Sequence, residues 1–397
     1  MASTVAKFFT GIGAKRFTPV EITPVRSNQH EFNGINGFKT ILGTEKIRFE
    51  GRFLYLPDHE ERIIDTTGIL TWYDARENHP TRSEYRLYYS SNDVISSSGI
   101  DDLVIIAKTP DDKLAIIVAA KGSTSEKQLL WLFGLEEVER RFVVKDFSDE
   151  KRELGFAGKY IISSLGIEIE ETAPDYLEDM LRVFGQKFPT TKEFSDYSRS
   201  TVKDVSPVEE PDQTLMTWLE REEILFRTLE SVIVKERLEK GFRNDRAGIV
   251  EFIAFSLSVQ NRRKSRAGLA FENMIFKLNN IPFSQGARTE RTNKPDFLFP
   301  GENYYHDPAF KTELLTMLGV KTTAKDRWRQ VLAEAARIDN KHLITLEPAI
   351  SKNQTDEMRQ QNLQLVVPQP LFKTFQAEQQ QQLLTLDNFI NILRRKV

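Results

Sequence analysis

Three residues in the C-terminal half of the chain have the types and the order of a metal-dependent site for phosphodiester cleavage. Asp296 follows a proline, Lys321 ends the apolar run of residues 314–320, and Glu334 comes shortly afterwards. Carboxylates can hold Mg²⁺ against a phosphate, and a lysine ammonium can position the attacking water and offset the charge that builds on the phosphorane. These residues therefore predict a nuclease site.

Each of these side chains needs an element that positions it. Proline fixes φ and restricts the residue before it, so the Pro295–Asp296 pair predicts a stiff entry into a strand. Lys321 follows far enough along the chain for a hairpin return beside that strand. Glu334 is predicted on the next helix, next to an apolar face at helical spacing. That face consists of Trp328, Val331, Leu332 and Ala335.

The position two residues before the lysine departs from the common nuclease pattern. An acid usually stands there, but this chain has Gly319, which offers no side-chain ligand. The missing carboxylate must come from another segment. Glu334 is one candidate, and Glu272 is a second, because it lies at the edge of another apolar stripe at helical spacing.

Each of these features also has an ordinary explanation, because Pro-Asp pairs and charged helix surfaces are common in soluble chains. A series of unusual strings favours the nuclease interpretation. The strings are NRRKSRAG (261–268), KPDFLFP (294–300), YHD (305–307), VKTTAKDRWRQ (320–330) and VVP (366–368). In this order they resemble the catalytic domain of the EcoRII restriction endonuclease family, over roughly residues 210–397.

The resemblance implies an α/β restriction-endonuclease fold of the PD-(D/E)XK type with a permuted site. In such a site the second acid has moved from the strand to a neighbouring helix, in agreement with Gly319. Asp296 and Glu334, with Glu272 as an additional acid, would hold Mg²⁺, and Lys321 would orient the attacking water. The products would carry 5′-phosphate and 3′-hydroxyl ends.

The resemblance also implies that the residues after the lysine read DNA bases. Relatives that cut CCGG-type, CCNGG-type and CCWGG-type sites place these residues in the major groove against C·G pairs. Here they are Lys325, Asp326 and Arg327. Lys and Arg can donate to guanine O6 and N7, and Asp can accept from cytosine N4. The alternative is an N-terminal helix turn with ordinary exposed charges.

A basic run precedes the segment of Glu272. A charge run is usually a solvated helix face, and Ser265 could simply cap the following helix. The resemblance favours a phosphate clamp, whose cations would make DNA binding depend on salt. The run consists of Arg262, Arg263, Lys264 and Arg266.

Composition limits the classes of protein. The chain has 397 residues and 40% hydrophobic content, which predicts two to three domains. It has no long apolar run and no secretory pattern at its start, which predicts a cytoplasmic protein. The absence of cysteine excludes disulfides and thiolate metal sites, and five scattered histidines argue against a histidine-rich zinc cluster. The net charge of −3 does not decide, because a nuclease needs only a locally basic groove.

The N-terminal part, residues 1–170, is predicted to be a strand-rich barrel or sandwich. Strands are predicted at 46–55, 85–89, 103–107 and 114–119, and a helix at 126–133. In the EcoRII family this position can hold a B3-like pseudobarrel that binds DNA as an effector. Residues 84–91 and 102–120 are weakly similar to it.

The N-terminal part also contains candidate DNA contacts. Residues 72–86 interleave aromatic, amide and arginine side chains across a predicted loop. The alternative is a polar loop held by its own hydrogen bonds. The candidates are Arg76, Asn78, His79 and Arg82, with Arg26, Asn28 and His30 on the same surface.

Residues 171–212 are acidic and rich in Pro, Thr and Ser, which predicts a linker before the catalytic domain at 213–397. The chain is thus predicted to be a Mg²⁺-dependent endonuclease that cuts double-stranded DNA at a near-palindromic, C·G-flanked site. Two-fold DNA is most simply matched by a homodimer. Two alternatives stay open: a nuclease whose N-terminal domain reads a modified base, and a DNA-binding regulator that does not cleave.

Overall fold

The structure is a computed structural model that describes residues 4–22, 30–33, 35–57, 63–269, 274–290 and 293–396. Within these ranges, the side chains of residues 261–269, Met274 and Asp326 lie outside the description. Packing divides the chain into two units. Unit 1 is Met1–Ile167 with Pro348–Asn353, and unit 2 is Glu168–Glu347 with Gln354–Val397.

Unit 1 is built on one eight-stranded sheet. Its strands are β1 (Gly11–Arg16), β2 (Glu31–Phe32), β3 (Ile47–Leu56), β4 (Ile64–Asp74), β5 (Tyr85–Tyr89), β6 (Leu103–Lys108), β7 (Leu114–Ala119) and β8 (Val143–Asp146). The order is β2-β5-β4-β3-β7-β6-β1-β8, and every neighbouring pair is antiparallel except β3–β7. The strand-rich prediction for this part of the chain is confirmed.

The core of unit 1 follows from the alternation of side chains along the strands. Leu114, Ile116 and Val118 of β7 join the main apolar cluster with Phe53 and Trp72. The alternate residues of β7 are buried as well, which is typical of a strand covered on both faces. The helices of this unit are α1 (Pro19–Ile22), α2 (Lys39–Leu42), α3 (Asp93–Ser97), α4 (Thr124–Phe133) and α5 (Phe156–Ser164).

Four strands of unit 1 escaped the sequence patterns: β1, β2, β4 and β8. β1 contains two glycines, and a Cβ on Gly13 would overlap the ring of Phe38. The glycines of β1 allow this close packing, and the strand therefore lacks the alternation of apolar side chains that predicts a strand. β4 includes Trp72, which was assigned to a loop; that assignment is wrong, because Trp72 is fully buried and pairs with Ile47 of β3. The loop between β4 and β5 covers only residues 75–84.

Unit 2 begins with four helices: α6 (Leu177–Phe184), α7 (Thr191–Ser200), α8 (Pro211–Lys240) and α9 (Arg246–Leu269). The range 171–212, predicted as a linker region, contains α6 and α7. A capping box between Thr190 and Glu193 starts α7, so polar residues that suggested a loop open a helix instead. Both helices pack on α8 through buried Met180, Phe194, Leu225, Phe226, Leu229 and Ile233.

The second part of unit 2 is a mixed five-stranded sheet. Its strands are β9 (Ser284–Gln285), β10 (Phe297–Phe299), β11 (Thr316–Lys321), β12 (Lys341–Thr345) and β13 (Leu363–Val366), in the order β13-β12-β11-β10-β9. The pairs β9–β10 and β10–β11 are antiparallel, and β11–β12 and β12–β13 are parallel. This is an α/β arrangement, as predicted.

The remaining helices are α10 (Met274–Leu278), α11 (Glu302–His306), α12 (Trp328–Leu332), α13 (Lys352–Gln360), α14 (Ala377–Gln380) and α15 (Leu386–Lys396). A buried aromatic cluster joins α10 and α15 to β10. It contains Phe276, Phe297, Phe299 and Phe389, with ring centroids 5.1–6.3 Å apart. In the ranges that the structure describes, no helix is long and apolar enough to cross a membrane.

Candidate active site

Asp296 and Lys321 meet where two paired strands begin and end. Asp296 directly precedes β10, Lys321 ends β11, and the antiparallel pair aligns Phe297 with Leu318. The Lys321 Nζ donates a hydrogen bond to Asp296 Oδ2 at 3.0 Å, and the Val320 N–H donates to the same oxygen at 2.7 Å. The predicted hairpin return therefore brings the acid and the lysine together.

Gly319 leaves room for the neighbouring helix. It lies on the same face of β11 as Lys321, since side chains alternate along a strand. A Cβ on Gly319 would lie 2.8 and 3.0 Å from the two methyl carbons of Val331 in α12. A carboxylate at position 319 would therefore require α12 to move, and the second acid must come from elsewhere.

Glu334 lies in the turn after α12, not on the helix. The helical placement predicted from the sequence is wrong, because α12 ends at Leu332 and Ala335 has a φ of +49°. A positive φ at a residue with a side chain ends a right-handed helix. Trp328 and Val331 are buried as the apolar spacing predicted, but the pattern continues into a turn.

Side chains from the loop between β9 and β10 hold the turn that contains Glu334. Asn293 donates a hydrogen bond to the carbonyl of Ala333 at 2.7 Å, and Glu290 accepts one from the N–H of Ala336 at 3.1 Å. These two bonds fix the backbone on both sides of Glu334. Glu290 and Asn293 belong to no motif, and sequence reasoning missed them.

Tyr305 and Arg337 complete this support. The Tyr305 hydroxyl donates to Glu290 and accepts from the N–H of Arg337 at 3.1 Å. Burial, followed by the bond to Glu290, raises the pKa of Tyr305 to about 12, so it stays a donor. The Arg337 guanidinium donates to three backbone carbonyls, those of Tyr305, Asp307 and Phe310. The YHD string thus contributes structure around the turn.

Glu334 is an electrostatically unsatisfied group. Its Oε2 is buried and has no hydrogen-bond partner among the described residues. Burial raises the pKa of Glu334 from 4.5 to about 7; Lys321 lowers it, Asp296 raises it and Lys341 lowers it by smaller amounts. An unpaired buried carboxylate oxygen is costly, and a hard divalent cation is a partner that would satisfy it.

The donor set therefore fits a divalent metal in part. The described residues contain no cluster of three or more metal-binding side chains. Glu272, the third acid predicted for the site, lies outside the described residues. Asp296 and Glu334 are the two carboxylates that the structure places within electrostatic reach of each other and of Lys321.

The predicted base-reading residues form a short turn between Lys321 and α12. Lys325–Arg327 is a 3-10 helix, in which Arg327 is exposed and Lys325 is half-buried. The side chain of Asp326 lies outside the description. Glu347, which the sequence did not single out, accepts hydrogen bonds from two backbone N–H groups of this segment.

The structure describes little of the other predicted DNA contacts. The backbone of Arg262, Arg263, Lys264 and Arg266 lies in α9, but their side chains are outside the description, and Arg26 and Asn28 are outside it entirely. The ring of His30 packs edge-on against Tyr89, with centroids 5.9 Å apart.

The loop between β4 and β5 is exposed and partly held by internal bonds. Arg76 forms an ion pair with Glu84, and the Nδ1 of His79 accepts a hydrogen bond from the N–H of Thr81 at 3.3 Å. Asn78 and Arg82 are exposed. The polar-loop alternative thus accounts for Arg76 and His79, and Asn78 and Arg82 stay predictions.

Comparison with known proteins bears on the region that holds Asp296, Lys321 and Glu334. Residues 226–390 match the family model described as EcoRII C terminal. This region is therefore similar to the EcoRII C-terminal family. The resemblance predicted from the sequence strings is thereby confirmed.

A second comparison gives a longer alignment. The chain is 41% identical over 208 residues to the type II restriction enzyme EcoRII of Escherichia coli, over 51% of this chain and 50% of the relative. The chain therefore matches about half the length of this curated relative.

Two solved structures are similar to the chain. Metal-depleted Ecl18kI in complex with uncleaved, modified DNA is 17% identical, with a TM-score of 0.45, over 57% of this chain and 85% of that one. Metal-depleted Ecl18kI in complex with uncleaved DNA is 20% identical, with a TM-score of 0.35, over 60% and 83%. The α/β architecture described above for unit 2 rests on the strand order of this chain alone.

Proposed function

We propose that this chain is a metal-dependent, site-specific double-strand DNA endonuclease of the type II restriction class. One observation carries the proposal: Lys321 is hydrogen-bonded to Asp296 beside the unpaired, buried oxygen of Glu334. Buried polar groups in native proteins usually have partners, and exceptions with shifted pKa values concentrate at functional sites. The match of this region to the EcoRII C-terminal family supports the same function.

The residues suggest a division of labour in phosphodiester hydrolysis. Asp296 and Glu334, with Glu272, would hold Mg²⁺, which when bound polarises the scissile phosphate and acidifies water. Lys321 donates a hydrogen bond that orients the attacking water and offsets charge on the phosphorane. The water oxygen bonds to phosphorus and gives up a proton, while the P–O3′ bond breaks and the 3′ oxygen takes up a proton, so that one water is consumed for each bond cut. The products are 5′-phosphate and 3′-hydroxyl ends.

The recognition site in this proposal is near-palindromic with C·G flanks, of the CCGG, CCNGG or CCWGG kind. Lys325, Asp326 and Arg327 read those flanks in the major groove, because their donors and acceptor complement guanine and cytosine. Their place directly after Lys321 and the exposure of Arg327 support this role. Arg262, Arg263, Lys264 and Arg266 contact backbone phosphates in the same proposal.

A homodimer would present two such sites to two-fold DNA. Helix α9 supports an interface of this kind, because it exposes a group of large apolar side chains that water solvates poorly. The group consists of Ile249, Val250, Phe252, Ile253 and Leu257, which are 47–61% exposed.

In this proposal, unit 1 is a B3-like domain that binds DNA and regulates or targets cleavage. Its open sheet and the exposed β4–β5 loop with Asn78 and Arg82 support the role. Charged and amide side chains on an exposed loop are suited to contacts with bases and phosphates.

The test is digestion of methylation-free and methylated phage DNA by the purified protein in Mg²⁺, with sequencing of the fragment ends. Wild type and the exposed-lysine control Lys311→Ala should give discrete fragments at one C·G-flanked site, and Lys321→Ala should give none. Cleavage of modified DNA alone would identify a modification-dependent enzyme. Specific binding by the wild type without cleavage would instead indicate a regulator and contradict the proposal.

A further inference from the structure

A buried carboxylate holds the segment between Lys321 and the predicted base-reading residues. Glu347, in the turn after β12, is completely buried. Its Oε2 accepts hydrogen bonds from the N–H of Ala324 at 2.6 Å and from the N–H of Lys325 at 3.1 Å. Both N–H groups donate to the same carboxylate oxygen, so Glu347 anchors the start of the segment 324–327.

The segment of Glu347 is also hydrogen-bonded, through Thr345, to the residue after the strand that carries Lys321. Thr345, at the end of β12, stands opposite Lys321 in the parallel register. Its Oγ1 donates to the carbonyl of Thr322 at 3.4 Å and accepts from the N–H of Glu347 at 3.2 Å. A chain of contacts therefore runs from the residue after Lys321, through Thr345, to Glu347 and back to Lys325.

The backbone of Lys325 shows why an anchor is needed. Its φ is +23°, a value that residues with side chains rarely adopt. Such conformations are costly and persist only where the surroundings impose them. The bond from the Lys325 N–H to Glu347 is a contact that can impose it.

We propose that Glu347 is a positioning residue that sets the recognition segment 324–327 relative to Lys321 and thereby couples base reading to cleavage. This inference rests on the proposed function. Glu347 touches neither DNA nor the reacting atoms in this account. It acts by fixing the backbone that presents Lys325 and Arg327 to the bases, so its loss weakens discrimination between sites.

The competing explanation is that Glu347 only stabilises the fold. Unit 2 contains a matched control for that explanation. Asp212 is also a buried carboxylate, and it accepts three backbone hydrogen bonds at 2.9 Å, from Gln369, Leu386 and Asp387. These bonds join the start of α8 to α15 and involve no residue of the recognition segment. Asp212→Asn should therefore lower stability without changing the choice of site.

The experiment compares kcat/KM on the duplex that the wild type cuts with kcat/KM on duplexes in which one flanking C·G pair is replaced. We expect Glu347→Gln to reduce the ratio of these values by about tenfold, the range of one lost base contact. Thermal unfolding is measured beside it. Asp212→Asn should lower the Tm and keep the ratio of the wild type.

Thr345→Val removes the hydroxyl link and keeps the side-chain shape, and it should lower the ratio in the same direction. If Glu347→Gln does not fold, the ratio of kcat/KM values for Thr345→Val decides whether the inference holds. An unchanged ratio in the folded variants, with a Tm loss like that of Asp212→Asn, would overturn the inference and leave the proposed function intact. A wild-type protein that cuts no DNA at a defined site would overturn both.

Discussion

Arg76, Glu84 and Arg86 of the β4–β5 region in unit 1 pair with one another, whereas a carboxylate in the turn after α12 of unit 2 keeps an oxygen without a partner among the described residues. Glu84 accepts hydrogen bonds from Arg86 and Arg76, which hold the pKa of its carboxyl below the usual 4.5. Glu334 has a buried oxygen without a partner among the described residues, and burial raises its pKa to about 7. Both regions are rich in Arg, Lys, Asp and Glu, so composition does not separate them.

The two carboxylates show how a structural charge is distinguished from a functional one. A paired charge lowers the free energy of its own fold by a small amount at an exposed site. An unpaired buried charge raises it and persists only where it serves another purpose. Substitutions at Glu84 and Glu334 should therefore have opposite effects on stability.

The largest expected effect is on catalysis. Glu334→Gln should slow single-turnover cleavage of a duplex by about 10²–10³-fold, as expected when one charge-stabilising group is lost from an active site. Glu357→Gln is the control, because Glu357 is a carboxylate that already has a partner, Arg329, at 2.8 and 2.9 Å. A rate for Glu334→Gln close to that of wild type would remove this residue from the site.

The next largest effect is on the free energy of unfolding, at Gly319 of β11. Gly319→Asp should lower the free energy of unfolding by about 1–3 kcal/mol, because its Cβ would press against Val331. Urea unfolding measures this loss. Val331→Ala in the same chain should restore part of the stability, and additive losses in the double variant would show that the two residues do not collide.

A pH dependence follows from the raised pKa of Glu334. Between its unfolded value of 4.5 and its folded value of about 7, the folded state binds more protons, so this group lowers wild-type stability as the pH rises. Glu334→Gln should match wild type at pH 4 and exceed it by roughly 1–2 kcal/mol at pH 8.5, which is less than the full pKa difference implies because solvent screens this half-buried group. Urea unfolding at both pH values tests the sign, and a less stable variant at pH 8.5 would contradict it.

The smallest expected effect is on the Tm, at the paired carboxylate of Glu84. The pKa of Glu84 is lowered, first by Arg86 and then by Arg76, so its pairing stabilises the fold above pH 4.5 and loses this contribution as the pH falls below it. Glu84→Gln should lower the Tm by roughly 1–3 °C at pH 7 and not at pH 3. Equal Tm values at pH 7 would mean that the exposed pair contributes nothing.

The sequence predicted what depends on local pattern. The Pro295–Asp296 entry, the apolar run before Lys321 and the spacing between them were enough to predict the strand pair that joins Asp296 to Lys321. Gly319 also indicated correctly that the second acid stands elsewhere, and the structure adds Val331 as the physical reason.

The rest depends on contacts between distant segments. Glu334 was placed on a helix because the apolar spacing runs on to Ala335, whereas Asn293 and Glu290 hold a turn there. Glu347 gave no signal, because a single glutamate acquires meaning only when the fold brings it to the N–H groups of the recognition segment.

The central claim is that Asp296 and Glu334 belong to one metal site, and the most direct test is metal binding itself. Mn²⁺, a spectroscopic substitute for Mg²⁺, is titrated by electron paramagnetic resonance into wild type, Asp296→Asn, Glu334→Gln and the double variant. We expect weaker binding in each single variant and losses that do not add in the double variant, because both carboxylates hold the same ion. Mn²⁺ binding by Glu334→Gln equal to that of wild type would contradict it.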